Sequence, residues 1–292
     1  MLNFAMIFVS NTWRNMENST SFAVFILTHG RPDNVKTLAT LNKCGYTGST
    51  YLIVDNEDKT IDKYIANFGV DCVKVFDKKL MADNVDEGNN FDNRKVIIHA
   101  RNASFEIAKQ LGIKYFVQFD DDYYYFGYRY ESGARIIKNL DAVFKSMVDF
   151  YKSTPIKTIC FSQGGDHIGG FSGIQLKRKA MNSFFCSTDR PFKFVGSINE
   201  DVNTYTSLGS RGDLFFTFTN IQLDQYDTQS NKGGMTDEYA LTGTYIKSFH
   251  TVMMHPSSVR VAMMNSSNPR LHHTISWGAT TPMILDERYK KE

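Results

Sequence analysis

Three consecutive aspartates, Asp120-Asp121-Asp122, close the apolar run Tyr115-Phe116-Val117-Gln118-Phe119. The run has strand composition, and the helical pattern before it stops at Gly112. The acidic cluster therefore belongs at the carboxyl end of a strand, where open α/β sheets bind their ligands. Adjacent carboxylates repel one another, so a fold that keeps three together normally supplies a compensating cation. Hard oxygen donors suit Mg2+ or Mn2+, ions that bridge a protein to the phosphates of a substrate. A solvated acidic turn is the plain alternative, but the position directly behind a buried-looking strand favours the metal site.

The segment 21–126 alternates strands with helices. Strands are expected at Phe22–Leu27, Tyr51–Val54 and Val70–Phe76, before the acidic strand. Between them, Val35, Leu38 and Leu41 mark one helical face, and Ile61, Tyr64, Ile65 and Phe68 keep the spacing of another. Ala100, Ala103, Ile107 and Leu111 mark a third helix, which Gly112 ends as a left-handed cap does. Such alternation predicts a mixed, mostly parallel sheet flanked by helices, an α/β fold with right-handed crossovers.

The second half has a different texture. A long helix is expected over Arg135–Tyr151, with Ile136, Leu140, Val143, Phe144 and Met147 on one side. A strand at Ile156–Phe161 follows, then the glycine-rich loop Gly164 to Gly173 opens a β-like, aromatic region. Phe215–Leu223 alternates as a half-buried strand. No linker separates the halves, so the expected organisation is an extension over 1–20 and one domain over 21–292. Within that domain, 21–126 carries the strand-end ligand site and 127–292 is expected to complete it.

A chain of 292 residues, 42% hydrophobic, can bury a full core. Its net charge of +2 announces no nucleic-acid binder globally, although a local basic groove stays open. Cys44, Cys72, Cys160 and Cys186 form no C-x-x-C pair and read as reduced core residues of a cytoplasmic protein. The apolar segment from Leu2 to Val9 has neither the basic flank of a signal peptide nor the length of a membrane span, so no membrane partner is expected.

Further candidate residues cluster in four places. Thr28-His29-Gly30-Arg31 and Asp55 follow the first two strands, where a nucleotide-binding sheet holds base and ribose. Each alone is also ordinary turn chemistry. Neither G-x-G-x-x-G nor a Walker sequence is present. Arg101 at a helix start can pair with a diphosphate, or it can be a surface residue. Glu200-Asp201 can supply a general base, or it can serve a helix N-terminus as favourable first-turn charge. His272-His273 can complete a metal sphere, with His250 and His255 as competitors.

In this order, the strand-end loop, Asp55, Ala100-Arg101-Asn102, the D-x-D carboxylates and the E-D pair resemble a GT-A glycosyltransferase. The runs Phe194 to Tyr205, Thr228 to Met235 and Arg270-Leu271-His272-His273 look like the phage TET-associated glycosyltransferases. That resemblance implies a GT-A (Rossmann-like) fold with a β-rich C-terminal elaboration. It also implies transfer from a nucleotide sugar, UDP-linked by expectation, to 5-hydroxymethylpyrimidines of phage DNA in the host cytoplasm. Asp120 and Asp122 would bind Mn2+ or Mg2+, with His272 or His273 as a further ligand. Thr28, His29, Gly30, Arg31 and Asp55 would hold the nucleoside, and Arg101 and Asp121 join the donor-binding set. Asp201, or with less support Glu200, would take the proton from the acceptor hydroxyl in an inverting displacement.

Other readings stay open. The same donor chemistry serves a saccharide or protein acceptor, and a two-metal nucleotidyl- or phosphotransferase would use the same carboxylates. A sugar-nucleotide binder without catalysis would keep the donor site alone. The DNA reading needs a basic surface, for which Lys177-Arg178-Lys179, Arg260 and Arg270 are candidates.

Overall fold

Alternate residues of a strand point to opposite faces, so an apolar run such as Phe22 to Leu27 needs cover on both sides. The computed structural model of the chain shows that arrangement. It describes residues 21–86, 94, 96–167, 174–175, 179–226, 236–264 and 269–281. The expectations for 1–20, for most of the glycine-rich loop, for Lys177-Arg178 and for 228–235 fall outside these residues.

At the centre, β1 (Phe22–Leu27) runs parallel to β2 (Ser49–Asp55) and β4 (Tyr115–Asp120), and β3 (Val73–Phe76) extends β2 in parallel. The helices α1 (Lys36–Lys43), α2 (Ile61–Phe68), α3 (Lys78–Ala82) and α4 (Ile98–Gln110) lie between them in sequence. A hairpin of β5 (Tyr123–Tyr130) and β6 (Gly133–Ile136) follows, then α5 (Leu140–Lys152), β7 (Thr158–Ser162), the short β8 (Ile174–Gln175) and β9 (Phe184–Ser187). The chain continues through α6 (Glu200–Gly209), β10 (Phe215–Gln225), α7 (Thr236–Met254), β11 (Val259–Met264), β12 (Arg270–Ile275) and α8 (Trp277–Thr280).

The main sheet runs in the order β3-β2-β1-β4-β9-β7-β10-β5-β6, with β8 on β10. Antiparallel pairs enter it only with β5, β6, β8 and β9. All other neighbours are parallel, which is the mixed, mostly parallel sheet expected. Val24 and Ile26 enter one core with Tyr64, Phe119, Phe144 and Phe161. Ala23, Phe25 and Leu27 enter the other with Phe105, Phe116, Phe194 and Tyr205. Each core thus draws on residues from both halves of the chain.

Local signals explain the boundaries. Gly112 has φ +66, its N–H bonds to the Lys109 carbonyl, and the Ile113 N–H bonds to Ala108. This pair of bonds is a Schellman cap, as expected at that glycine. Three expectations need correction. The helix expected over Arg135–Tyr151 begins only at Leu140, where the Asn139 side chain accepts from the Ala142 N–H at 3.0 Å. Arg135 and Ile136 instead pair with Tyr128 and Gly127, so the sheet edge outcompetes the helical period. The third strand starts at Val73 rather than Val70, because Gly69 ends α2 and the chain turns before pairing. Finally, the β-like region after Gly164 also contains α6 and the 19-residue α7, on which the β11–β12 hairpin packs. No helix among the described residues is long and apolar enough to cross a membrane. All four cysteines are free, and Cys44, Cys160 and Cys186 are buried.

Candidate active site at the carboxyl ends of the parallel strands

Register fixes where the polar residues gather. Leu27 pairs with Ile53 on one side and with Asp120 on the other. The next residues, Thr28, Asp55 and Asp121-Asp122, therefore emerge at one end of the sheet, where α/β sheets take ligands.

The loop after β1 is held by a chain of hydrogen bonds. The Arg31 N–H donates to the Tyr64 hydroxyl at 2.8 Å, Tyr64 lies 2.8 Å from the Thr28 hydroxyl, and Thr28 donates to Asp121 Oδ2 at 2.7 Å. Arg31 Nη1 closes the ring on Asp121 Oδ1 at 3.0 Å. Asp121 is thus buried under the loop and fixes it. Gly30, at φ +68, donates its N–H to Asp58 Oδ2 at 2.6 Å. Beside it, His29 Nδ1 stands 2.6 Å from Asp55 Oδ2, and Lys78 Nζ stands 3.3 Å from Asp55 Oδ1. The hydrogen bond to Asp55 raises the His29 pKa, against some loss from burial. Burial pushes the Asp55 carboxyl up, but His29 and Lys78 outweigh it and hold the group below its usual value. A half-exposed imidazole on a buried carboxylate leaves a polar wall facing outward, fit for a ribose or base edge.

A second group lies on the other side of Asp121. Arg101, in the first turn of α4, has a side chain only 2% exposed. Its Nη2 reaches Asp120 Oδ1 at 3.2 Å and its Nε reaches Glu200 Oε1 at 3.1 Å. The guanidinium lies over Phe184 and Phe194, and the Gln118 side chain holds the Arg101 carbonyl from within β4. Burial opposes its charge, but Asp120 and Glu200 prevail and raise its pKa overall. Its burial sets aside the surface reading of Arg101, which ties Asp120 of the D-x-D group to Glu200 of the E-D pair. Asn102 strengthens the link, since its side chain accepts from the Phe194 N–H and donates to the Phe194 carbonyl.

That link, with the start of α6, sets Glu200 and Asp201. Asn199 takes left-handed geometry at φ 55, and its amide bonds to the Lys247 carbonyl and the Thr251 hydroxyl of α7. Gly196 at φ +81 passes close to Asn203, leaving no room for a Cβ. Glu200 and Asp201 do occupy the first turn of α6, but no side chain caps that helix at Asn199. Asp201 Oδ1 accepts from the next N–H, of Val202, at 2.7 Å. Burial, with the Glu200 charge added, raises the Asp201 pKa.

The D-x-D carboxylates are similarly strained electrostatically. Burial pushes Asp120 up to about 7 despite Arg101, with Asp122 and Glu200 adding to the rise. Burial and Asp121 push Asp122 up to about 6. Carboxylates held so poorly ionised fit a divalent cation, which would restore their charge. Among the described residues no three His, Cys, Asp or Glu form a ready cage, so such an ion would complete its sphere with water and substrate oxygens. His272 and His273 do not join Asp120 and Asp122 in such a cage. Their rings lie side by side on β12, 4.3 Å between centroids and tilted by 34°. Burial, with Lys179 and other cations nearby, lowers His272 to about 4 and His273 to about 3, so both rings are neutral at pH 7.

Tyr64, Asp58 and Lys78 were missed as site residues from sequence. Lys78 directly follows the third strand by one residue beyond Asp77, a position that could have flagged it; Tyr64 read only as a helix core residue.

The chain matches the family model described as TET-Associated Glycosyltransferase over residues 22–234. No match is found among curated proteins. Among solved structures it is similar to glucosyl-3-phosphoglycerate synthase from Mycobacterium tuberculosis, in complex with Mn2+, UDP and phosphoglyceric acid. The two share 10% identity at a TM-score of 0.45, over 88% of this chain and 87% of that one. It is also similar to S. aureus TarS, with 12% identity and a TM-score of 0.41, over 69% of this chain and 36% of that one. The family match spans well over half of the sequence and includes both carboxylate groups, so the protein belongs to the TET-associated glycosyltransferases.

Proposed function

We propose that this glycosyltransferase moves a sugar from a UDP-sugar to the hydroxyl of a 5-hydroxymethylpyrimidine in DNA. The observation that carries the reading is the Arg101 bridge, which holds a metal-suited carboxylate pair and a general-base candidate on one buried guanidinium. Asp120 and Asp122 would hold Mn2+ or Mg2+, which when bound offsets charge on the departing diphosphate. The loop from Thr28 to Arg31 and the His29–Asp55 pair bind the nucleoside.

Asp201 is the better base of the E-D pair. Glu200 is engaged by Arg101, whereas Asp201 has no cation bonded to it among the described residues and is made more basic by burial. A carboxylate in that state accepts a proton from a hydroxyl more readily than an exposed one. Glu200 then positions Asp201 by anchoring the start of α6 to Arg101. The acceptor assignment rests on the family's implied substrates.

A UDP-release assay tests the whole reading. Release should require a UDP-sugar, Mn2+ or Mg2+, and duplex DNA carrying hydroxymethylated pyrimidines, with unmodified duplex inert. Equal release with unmodified DNA, or release only with a saccharide acceptor, would overturn the acceptor assignment.

A further inference from the structure

A pair of exposed tyrosines stands directly beside Asp122. Tyr123 at the start of β5 turns into the core, so Tyr124 turns outward and is 45% exposed. Tyr226, which follows β10, is 39% exposed, and its N–H approaches the Asp122 carbonyl at 3.5 Å. The two ring centroids are 4.8 Å apart, with the planes inclined at 57°. Lys36, the first residue of α1, sets its Nζ 3.5 Å from the Tyr226 centroid. Most other aromatic pairs of this protein fill its two cores, such as Phe25 with Phe116 and Phe119 with Phe126. This pair lies at the rim of the carboxylate site and presents ring surface to solvent. Exposed aromatic surface next to a polar site is a signature of ligand contact.

The geometry points to Tyr124, Tyr226 and Lys36 as the subsite for the acceptor strand, stacking a nucleobase on the rings and pairing Lys36 with a phosphate. This rests on the DNA reading above and names the residues that would make the contact. A flat ring can also face a sugar, but a neutral saccharide has no use for the ammonium. A polyanionic strand uses both features, and every base offers a face for stacking. An enzyme acting on a base hydroxymethyl group must take that base from the duplex or meet it unpaired, and the unstacked strand then needs a new platform. Proximity to Asp122 places that platform at the mouth of the site, where acceptor and donor meet. Lys36 held against Tyr226 is partly ordered beforehand, which lowers the entropic cost of gripping the phosphate.

The test uses fluorescein-labelled single-stranded oligodeoxythymidine and an abasic strand of equal length and charge. Anisotropy would be measured for the full chain and for Tyr124→Ala, Tyr226→Ala, Tyr226→Phe and Lys36→Ala, beside calorimetric UDP binding with Mn2+. Each Tyr→Ala change should weaken oligodeoxythymidine binding by about 5- to 150-fold, the range for losing one stacked base. Tyr226→Phe should bind like the unaltered protein, which controls for folding. Lys36→Ala should flatten the log-log salt dependence by about 0.7, the share of one phosphate contact on a single strand. UDP affinity should stay within about twofold throughout, well below the stacking effect. Equal affinity of the unaltered protein for the abasic strand, or unchanged binding by both Tyr→Ala variants, would overturn the shelf while leaving DNA as the acceptor. A parallel loss of UDP binding would move the shelf to the donor and overturn it as well. If the unaltered protein binds neither strand, the shelf falls, and the UDP-release assay with hydroxymethylated duplex decides the DNA reading separately.

Discussion

Arg101→Met removes the charge that joins the two carboxylate groups while keeping an apolar stem against Phe184 and Phe194. Two charge-assisted bonds are lost, at 3.2 Å to Asp120 and 3.1 Å to Glu200. Bonds of this kind contribute about 1.5–3 kcal/mol each. Breaking a buried pair by removing one partner costs roughly 3–5 kcal/mol, because the other charge is left without compensation. Here the carboxylates are 23% and 15% exposed, so water relieves part of that penalty. The expected loss is therefore at the low end, about 3 kcal/mol. For a chain of 292 residues that lowers Tm by about 5 °C. Urea denaturation at pH 7.5 without divalent ions measures the loss. A double-mutant cycle with Glu200→Gln should return a coupling of about 0.5–3 kcal/mol between Arg101 and Glu200. Removing the guanidinium also takes away a positive charge that competes with a divalent cation for Asp120. Mn2+ should then raise the Tm of Arg101→Met by more than it raises that of the unaltered protein. A loss under about 0.5 kcal/mol, with no coupling to Glu200, would show that the bridge carries no energy and refute the reasoning.

Three further outcomes are expected. Asp122→Asn should abolish turnover and the Mn2+-dependent part of UDP binding seen by calorimetry, whereas unchanged metal-dependent binding would make the triplet a structural turn. Asp201→Asn should lower turnover by about two to four orders of magnitude with UDP binding intact; full activity with a lower Tm would assign the carboxylate to the helix instead. The His29 imidazole should titrate by NMR above its ordinary value of about 6.5 and return toward it in Asp55→Asn. Because the folded His29 pKa is raised, its stabilisation is complete below the ordinary value and fades as pH rises through the folded one. Asp55 is lowered, so its share is present above the ordinary carboxylate pKa and fades as pH falls through its folded pKa. The pair should thus be worth most between those two ordinary values, and a pH-independent difference between Asp55→Asn and the unaltered protein would contradict it.

The parallel core was legible because its signals are local. Apolar runs of strand length, three-four helical spacing and a glycine cap at Gly112 each act within a few residues, and the acidic triplet sits where its strand ends. What escaped is decided by partners far away in sequence. Arg135 and Ile136 fit a helical period as well as a strand, and only pairing with Tyr128 and Gly127 settles them. For Arg101 the sequence leaves a diphosphate partner and a surface position equally open, since nothing nearby shows that Glu200, 99 residues on, will fold against it. The bonds from Asp121 to Thr28 and Arg31, about 90 residues earlier, are equally invisible in the sequence. Lys78 and Asp58 gave no motif and matter only through Asp55 and Gly30. In Tyr123-Tyr124, alternation along β5 implies one ring inward and one outward, but only Tyr226 across the sheet gives the outward ring a role.

The central claim is that a sugar is joined to a hydroxymethylated base in DNA. The most direct measurement incubates the protein with a panel of UDP-sugars, Mn2+ and hydroxymethylated duplex, digests the DNA to nucleosides and weighs them by mass spectrometry. The account predicts a modified nucleoside heavier by one sugar residue, formed with one preferred donor and absent with Asp201→Asn. Hydroxymethyl nucleosides of unchanged mass with every donor, from protein that binds UDP with Mn2+, would contradict it.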